Sequence, residues 1–567
     1  MIVVAILVRY KLILFGLPYS LHPDETYIYK DPLKILLLYK DGNFSQSYNL
    51  VDWLFAVWTG IVFVFGKLFH QWDSFSAFRD LLVVEDGKII LAYRILSLLA
   101  SVSALAVLYD LCRKMTANPI LRGLFILTFL FNPIELLSDN WIKYDPYVFL
   151  MLSILLNYSY SYFFLLKRHQ LKTLYILSIL AVAVRIEFIV FFISILLVGL
   201  FSAYRGLPPD ARKDAIKKQM KYILTGAVLY LLVTLKPLTY LYTRFASDPG
   251  SMGVTHTFEQ VILTRLTEYI RSGAFIDNIA NNFIFYFNVC LLGLGPLVVI
   301  YLLFVLFRDS RTRFLLLFLS LLGIMILLYG ANGTHYFLSL SVVFIFGSCL
   351  FITRLKNPRL QLISAVFNLL YMASLSIGFL YAVLTQEDPR LSSAGYIIKN
   401  IPPDNLLAIE THSMNGLGPP INECRNVLLK KSEIIAIFGS GTGETYRMRA
   451  NFSNNDCREI LDVFSTDYFA GSDGAHLWIN TYDSARFKER APAYFITTRS
   501  VNTFGPDEEM LPPGPNAAEF YGYIVKNYVL NKEFKCRFAD PRLPYLLDGG
   551  LYFRPIKIYR RLYSTIN

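Results

Sequence analysis

Apolar residues in this chain come in long blocks, separated by short polar stretches that carry most of the charge. Such blocks stand at Met1–Tyr19, Ile89–Leu111, Ile120–Leu137, Pro146–Leu166, Leu174–Val184, Phe188–Phe201, Tyr222–Leu241, Phe283–Leu306, Phe314–Tyr329, Tyr336–Ile352 and Leu360–Leu384. A helix needs roughly 20 apolar residues to cross the hydrocarbon core of a bilayer, and most of the blocks approach that length. The pattern predicts a polytopic α-helical membrane protein with about eleven spans.

Two segments set the topology. Thr173–Phe201 is interrupted by Arg185 and Glu187. Lys167, Arg168 and Lys172 precede it, and Arg205, Arg212, Lys213, Lys217, Lys218 and Lys221 follow it. Positive loops stay cytoplasmic, so the segment must go out and return as two short or broken spans. Leu50–Leu68 is apolar enough to cross, but counting it as a span would turn the later basic clusters outward. It reads instead as a juxtamembrane helix lying on the membrane. Arg113–Lys114, Lys167–Lys172, Arg205–Lys221, Arg308–Arg313 and Arg354–Arg359 then all face inward. The loop 21–88, the Ser138–Asp145 turn, the Leu241–Asn282 loop, Gly330–His335 and the tail after Thr385 face outward. The first block has no small-residue cleavage site before its charged loop and reads as a retained span.

Beyond Thr385 the composition shifts to Pro, Gly, Asn, Asp and Ser. Short β-like runs at Leu406–Glu410, Ile434–Phe438, Tyr494–Thr498 and Leu551–Ile558 alternate with helix-like stretches such as Ser392–Asn400 and Ala518–Val529. This predicts a membrane domain over 1–385 and a soluble α/β domain over 386–567, on the non-cytoplasmic side. The chain shows no internal repeat of the kind many transporters carry.

Composition agrees with the blocks: 55% of the 567 residues are hydrophobic and 17% charged. Soluble domains are nearer a quarter charged. The net charge of +12 sits in the clusters between blocks, which suits anionic membrane lipids and argues against nucleic acid. Cys112, Cys290 and Cys349 lie in or beside apolar blocks as packing residues. Of Cys424, Cys457 and Cys536 in the tail, two could pair in an oxidising compartment.

Candidate chemistry concentrates at the outward-facing ends. His22-Pro23-Asp24-Glu25-Thr26-Tyr27 follows the first block. Two adjacent carboxylates can divide labour, one taking a proton from a hydroxyl while the other binds a cation or positions a group. The pair could equally cap the next short helix. Asp139, Lys143 and Asp145 lie where the chain re-enters the bilayer, and Asp145-Pro146 also suits a helix start. With Asp24 on the same face, Asp145 could hold a divalent cation such as Mg2+ or Mn2+, or a phosphate-bound sugar. Arg185 and Glu187 either satisfy each other or leave Arg185 to fork onto a lipid-linked phosphate. His335 and Tyr336 are candidates of the same kind. Gly439–Glu444 reads as a tight turn rather than a nucleotide loop, since the remaining glycine spacing is missing. Glycosylation triplets begin at Asn43, Asn332 and Asn451; a fourth, at Asn157, falls within a span.

These features together resemble the GT-C glycosyltransferases, in the branch that holds the protein O-mannosyltransferases and the lipid A aminoarabinose transferase. Pro23-Asp24-Glu25-Thr26 is similar to the acidic pair in that branch's first outer loop, and Asp31–Leu68 to the juxtamembrane helices that follow. Arg94 matches an arginine opening the next span, and Asp145-Pro146 an Asp-Pro at a later re-entry. The segment from Asp388-Pro389-Arg390 to Pro402 is similar to the link between the last span and the outer domain. The family's Arg-Tyr at a late span reads His335-Tyr336 here, and its Lys or Gly-rich stretch near the fifth span reads Val184-Arg185-Ile186-Glu187.

The resemblance implies a sugar donor on a polyprenyl phosphate, and transfer on the non-cytoplasmic face to a lipid, protein or glycan acceptor. Asp24 would be the catalytic carboxylate, assisted by Glu25 or Asp145. His22, Lys143, Arg185, His335 and Tyr336 would bind substrate, with the cationic side chains on the departing phosphate. The compact basic loops favour a prokaryotic plasma membrane. A transporter or flippase of a lipid-linked sugar is the competing expectation, and an assembly protein with a polymer-binding outer domain is a third.

Overall fold

The computed structural model describes residues 2–15, 17, 50–75, 77–78, 87–138, 142–167, 169–185, 187–206, 208–234, 275–329, 337–402, 404–409, 460–462, 464–470, 476–482, 484–497, 517–538, 542–543 and 555–562. They are mostly helical, with a small mixed β-sheet region toward the C-terminal end. Four helical stretches are long and apolar enough to cross a bilayer: Leu50–Leu68, Gly87–Met115, Pro119–Leu137 and Pro358–Asn400. A bent pair, Asn282–Leu294 with Pro296–Arg308, would make a fifth. Shorter apolar helices lie at Gln170–Val182, Phe188–Phe201, Arg313–Ile324 and Leu338–Arg354. They mark an integral membrane protein.

The helices are α1 (Ile2–Leu14), α2 (Leu50–Leu68), α3 (Gly87–Met115), α4 (Pro119–Leu130), α5 (Pro133–Ser138), α6 (Asp145–Phe163), α7 (Gln170–Val182), α8 (Phe188–Gly206) and α9 (Pro209–Thr234). After them come α10 (Phe275–Leu294), α11 (Pro296–Arg308), α12 (Arg313–Tyr329), α13 (Leu338–Arg354), α14 (Pro358–Thr385) and α15 (Pro389–Asn400). Proline recurs at the first positions because its missing N–H costs nothing there. Asn118 caps α4, Asn357 caps α14 and Asp388 caps α15, each one residue before its proline. A single large core runs through α1–α14.

The Thr173–Phe201 segment does fold as two helices, α7 and α8, with Arg185 and Glu187 in the turn between them. The 13 residues of α7 cover only about 20 Å, less than a hydrocarbon core of about 30 Å. The break between α4 and α5 is also satisfied inside the bundle. Ser376 donates to the Phe131 carbonyl at 2.7 Å, and Asn132 donates to Ser341 Oγ at 3.0 Å. Backbone groups freed by a break in an apolar setting need such partners.

One expected span is not straight. Phe283–Leu306 bends by 106° at Gly295-Pro296, where α10 gives way to α11. Proline cannot continue the helical hydrogen bonding, and Gly295 takes φ +91°, a left-handed conformation that favours glycine.

The helix α2 is long enough to cross, yet its anchors lie at the ends of its neighbours. Leu50 N–H bonds the Ala183 carbonyl at 2.7 Å, beyond the last turn of α7. Phe55 packs on Tyr147 in the first turn of α6 and on Tyr93. Trp58 donates to the Ala92 carbonyl at 2.9 Å, Thr59 bonds Tyr93, and Lys88 donates to Gln71 just past α2. All the α3 partners fall within its first two turns.

The C-terminal region has a five-stranded sheet in the order β2-β1-β5-β7-β6, formed by β1 (Leu407–Ile409), β2 (Ile460–Asp462), β5 (Tyr494–Thr497), β6 (Tyr528–Phe534) and β7 (Ile556–Arg561). The first three are mutually parallel, and β7 runs antiparallel to β5 and β6. A separate antiparallel pair joins β3 (Phe464–Ala470) to β4 (His476–Tyr482). Strand residues alternate between two cores. Leu407, Ile409, Ile496 and Ile558 pack with α15, while Ala408, Phe495 and Tyr559 pack with α16 (Ser484–Arg490) and α17 (Ala517–Asn527). Of the expected strand Leu551–Ile558, β7 takes Ile556–Ile558 while residues 551–554 lie outside the described residues, as does the expected strand Ile434–Phe438; the expected helix Ala518–Val529 yields to β6 at Tyr528.

Candidate functional site

Ionisable side chains gather at one end of the helical bundle, where α1 ends, α3 and α6 begin, and α7 turns into α8. The fully buried Arg94 donates through Nη1 to the carbonyls of Ile13 at 3.0 Å and Phe15 at 2.6 Å. The last carbonyls of a helix have no intrahelical donor, and a guanidinium suits both that vacancy and the negative end of the helix dipole. Arg94 thus fixes the end of α1, from which the His22–Tyr27 segment departs.

At the start of α6, Tyr144 donates to Asp52 Oδ1 at 3.1 Å, tying α2 to this end. Lys143 and Asp145 are both buried. Arg185 bridges two carboxylates: Nη1 lies 2.9 Å from Asp145 Oδ1, and Nε lies 3.0 Å from Glu187 Oε2. Burial raises the Glu187 carboxyl above the ordinary glutamate range, Arg185 opposes that rise, and the Asp145 charge adds to it. One guanidinium thus bridges two carboxylates in a half-buried turn.

The structure thus joins Asp145 to Arg185, and Arg185 to Glu187, and buries Lys143 two residues before Asp145. His22, Asp24, Glu25, Asp139, His335 and Tyr336 lie outside the described residues, as do Cys424, Cys457, Gly439–Glu444 and the triplets beginning at Asn43, Asn332 and Asn451. Cys536 is a free thiol. For the cation expected on Asp24 and Asp145, no group of three His, Cys, Asp or Glu converges among the described residues. Arg185 engages one oxygen of Asp145, Oδ1.

Sequence reasoning missed one pair outright. Arg9 of α1 and Glu135 of α5 form an ion pair at 2.5 Å, with side chains 1% and 2% exposed. The available signal was a lone arginine inside an apolar helix, a costly placement that calls for a partner. Asp52 was also passed over, as a first-turn carboxylate of α2.

No protein-family model matches the chain, and no curated protein is significantly similar to it.

Proposed function

We propose that this protein is a glycosyltransferase with a GT-C-like membrane domain, moving a sugar from a polyprenyl-phosphate donor to an acceptor on the non-cytoplasmic face. The observation that carries the reading is the Asp145–Arg185–Glu187 bridge, buried at Asp145 and half-buried at Arg185 and Glu187, at the same bundle end as the Arg94-held terminus of α1. Asp24 and Glu25 follow that terminus in the sequence, and the proposal has them act together with these cationic groups.

In this reading Asp24 accepts the proton of the acceptor hydroxyl as its oxygen attacks the anomeric carbon. The bond from that carbon to the phosphate oxygen breaks, the polyprenyl phosphate leaves, and a single displacement inverts the centre. Glu25 and Asp145 assist. Lys143, Arg185, His335 and Tyr336 stabilise the phosphate as its charge develops, and His22 contacts the substrate. The eleven-span topology, the outward position of the C-terminal domain and a prokaryotic plasma membrane belong to the same proposal.

The test is release of labelled sugar from a synthetic polyprenyl-phosphate donor by the purified full chain, wild type beside Asp24→Asn. Release that the variant loses while still binding donor supports the enzyme. A transporter or flippase of a lipid-linked sugar is favoured by one observation, the broken α10–α11 helix, since discontinuous helices line many transport sites. Movement of intact donor across vesicles, untouched by Asp24→Asn, would select it.

A further inference from the structure

Of the residues that follow β6, Cys536–Phe538 and Arg542–Leu543 lie along α14. The Gln386 side chain, at the end of α14, donates to the Arg537 carbonyl at 2.6 Å and accepts the Arg537 N–H at 2.8 Å. An amide that pairs both ways with one backbone residue mimics a strand contact and fixes direction as well as distance. Cys536 Sγ lies 3.6 Å from the Glu387 carbonyl, and Phe538 packs against the bundle core. Further on, Arg542 donates to Ser374 Oγ at 3.0 Å, and its guanidinium lies 4.8 Å from the centre of the Tyr371 ring. Leu543 is 1% exposed and belongs to the same core as the membrane helices. From Gln386 to Tyr371 these contacts descend about 22 Å of helix.

Tyr371 is also the support of the α10–α11 elbow. Its hydroxyl donates to the carbonyl of Leu292 at 3.2 Å, which Pro296 leaves without its helical donor, and to that of Leu291 at 2.9 Å, which also accepts the Gly295 N–H. Its ring lies against Gly295, where an added Cβ would come within 2.8 Å of it. From the elbow, α10 packs on α12, α13, α14 and α5, and Tyr286 stacks on Phe337 at the head of α13.

We propose that Cys536–Phe538 and Arg542–Leu543 form a strap through which the C-terminal sheet region sets the angle of the α10–α11 elbow, with Arg542 acting on Tyr371 and Tyr371 on the Leu291, Leu292 and Gly295 backbone. Arg542 is a positioning residue in this device. A ligand that shifts the sheet region pulls on the strap, and the elbow is the element that answers. The coupling holds whether the bundle transfers sugars or moves them, so it stands apart from the catalytic reading.

The experiment is a double-mutant cycle on the full chain in nanodiscs, read by hydrogen exchange of the amides around Leu291–Val299. Arg542→Gln breaks the strap contact, and Tyr371→Phe removes only the hydroxyl that holds the carbonyls. Each single change is expected to speed exchange at the elbow about tenfold, with α13 amides unchanged. The double variant is expected to go no further than the faster single one, because coupled residues are non-additive. Additive effects, or an elbow as protected in Arg542→Gln as in the wild type, overturn the proposal. Arg542→Lys guards against misfolding: it keeps the charge over the ring and should stay near the wild type. A bifunctional thiol cross-link between native Cys536 and Glu387→Cys reports that the strap is seated, and its complete failure in the otherwise wild-type chain also overturns it.

Discussion

Arg185 and Asp145 meet at 2.9 Å although 40 positions separate them, and the same guanidinium holds Glu187 at 3.0 Å. The turn between α7 and α8 is thereby locked to the start of α6. Neither carboxylate carries an uncompensated charge into an apolar setting, which would cost several kcal/mol in effective terms.

Arg185→Gln should destabilise the bundle by about 1.5–3 kcal/mol, the worth of hydrogen bonds to charged groups. Arg185→Lys should recover only part of that, because an ammonium cannot hold two carboxylates in a fixed fork. Thermal unfolding in detergent measures both, and a lysine variant as stable as the wild type would contradict the bridging role.

Glu187 makes a pH prediction whose sign is fixed by its raised pKa. The folded state holds this proton more tightly than the unfolded chain does. The Glu187 contribution to stability therefore falls as pH rises from the ordinary glutamate value of about 4.3 through the higher folded one. Glu187→Gln should flatten that part of the stability-versus-pH curve, as followed by melting temperature over the window.

Asp309, after α11, has the opposite sign. Burial pushes its carboxyl up, but bonds from the Arg311 backbone and side chain, with the charge of Arg354, outweigh it and hold it below the ordinary range. Its stabilising contribution is complete above the unfolded value of about 3.9 and is lost as pH falls through the folded one. Arg311 and Arg354 are partly exposed, so Asp309→Asn at neutral pH should cost only about 0.2–1 kcal/mol.

Removing one member of the Arg9–Glu135 pair should cost about 3–5 kcal/mol, because the remaining charge stays buried. Replacing both, as Arg9→Met with Glu135→Leu, should cost much less than either single change. A double variant no more stable than the singles would mean that the pair does more than balance charge.

Part of this arrangement was legible in the chain. The basic clusters around Thr173–Phe201 pointed to two short helices rather than one, and α7 and α8 are those two, with Arg185 and Glu187 in the turn between them. Asp145 was visible as a helix start, but its meeting with Arg185 was not, since no local spacing links residues so far apart. The bend at Gly295-Pro296 escaped because hydropathy counts composition, while the bend comes from φ at a glycine and a missing proline N–H. In the sheet, β6 presents four consecutive exposed residues, Val529–Lys532, which gave the strand no alternation to recognise.

The order β2-β1-β5-β7-β6 also constrains how the chain is made. Leu407 in β1 pairs with Ile460 and Tyr494, so an emerging β1 must wait for both neighbours to be synthesised. The last of the described strands, Ile556–Arg561, is inserted between β5 and β6, so those two cannot share an intact sheet before it leaves the ribosome. Long-range pairing of this kind folds slowly, whereas helices form from local contacts as they enter the bilayer. Completion of the sheet therefore comes after the helices that precede it in the chain. A nascent chain arrested before Ile556 should display membrane helices beside a β5 that has β1 but lacks its β7 neighbour, and is protease-sensitive on that edge.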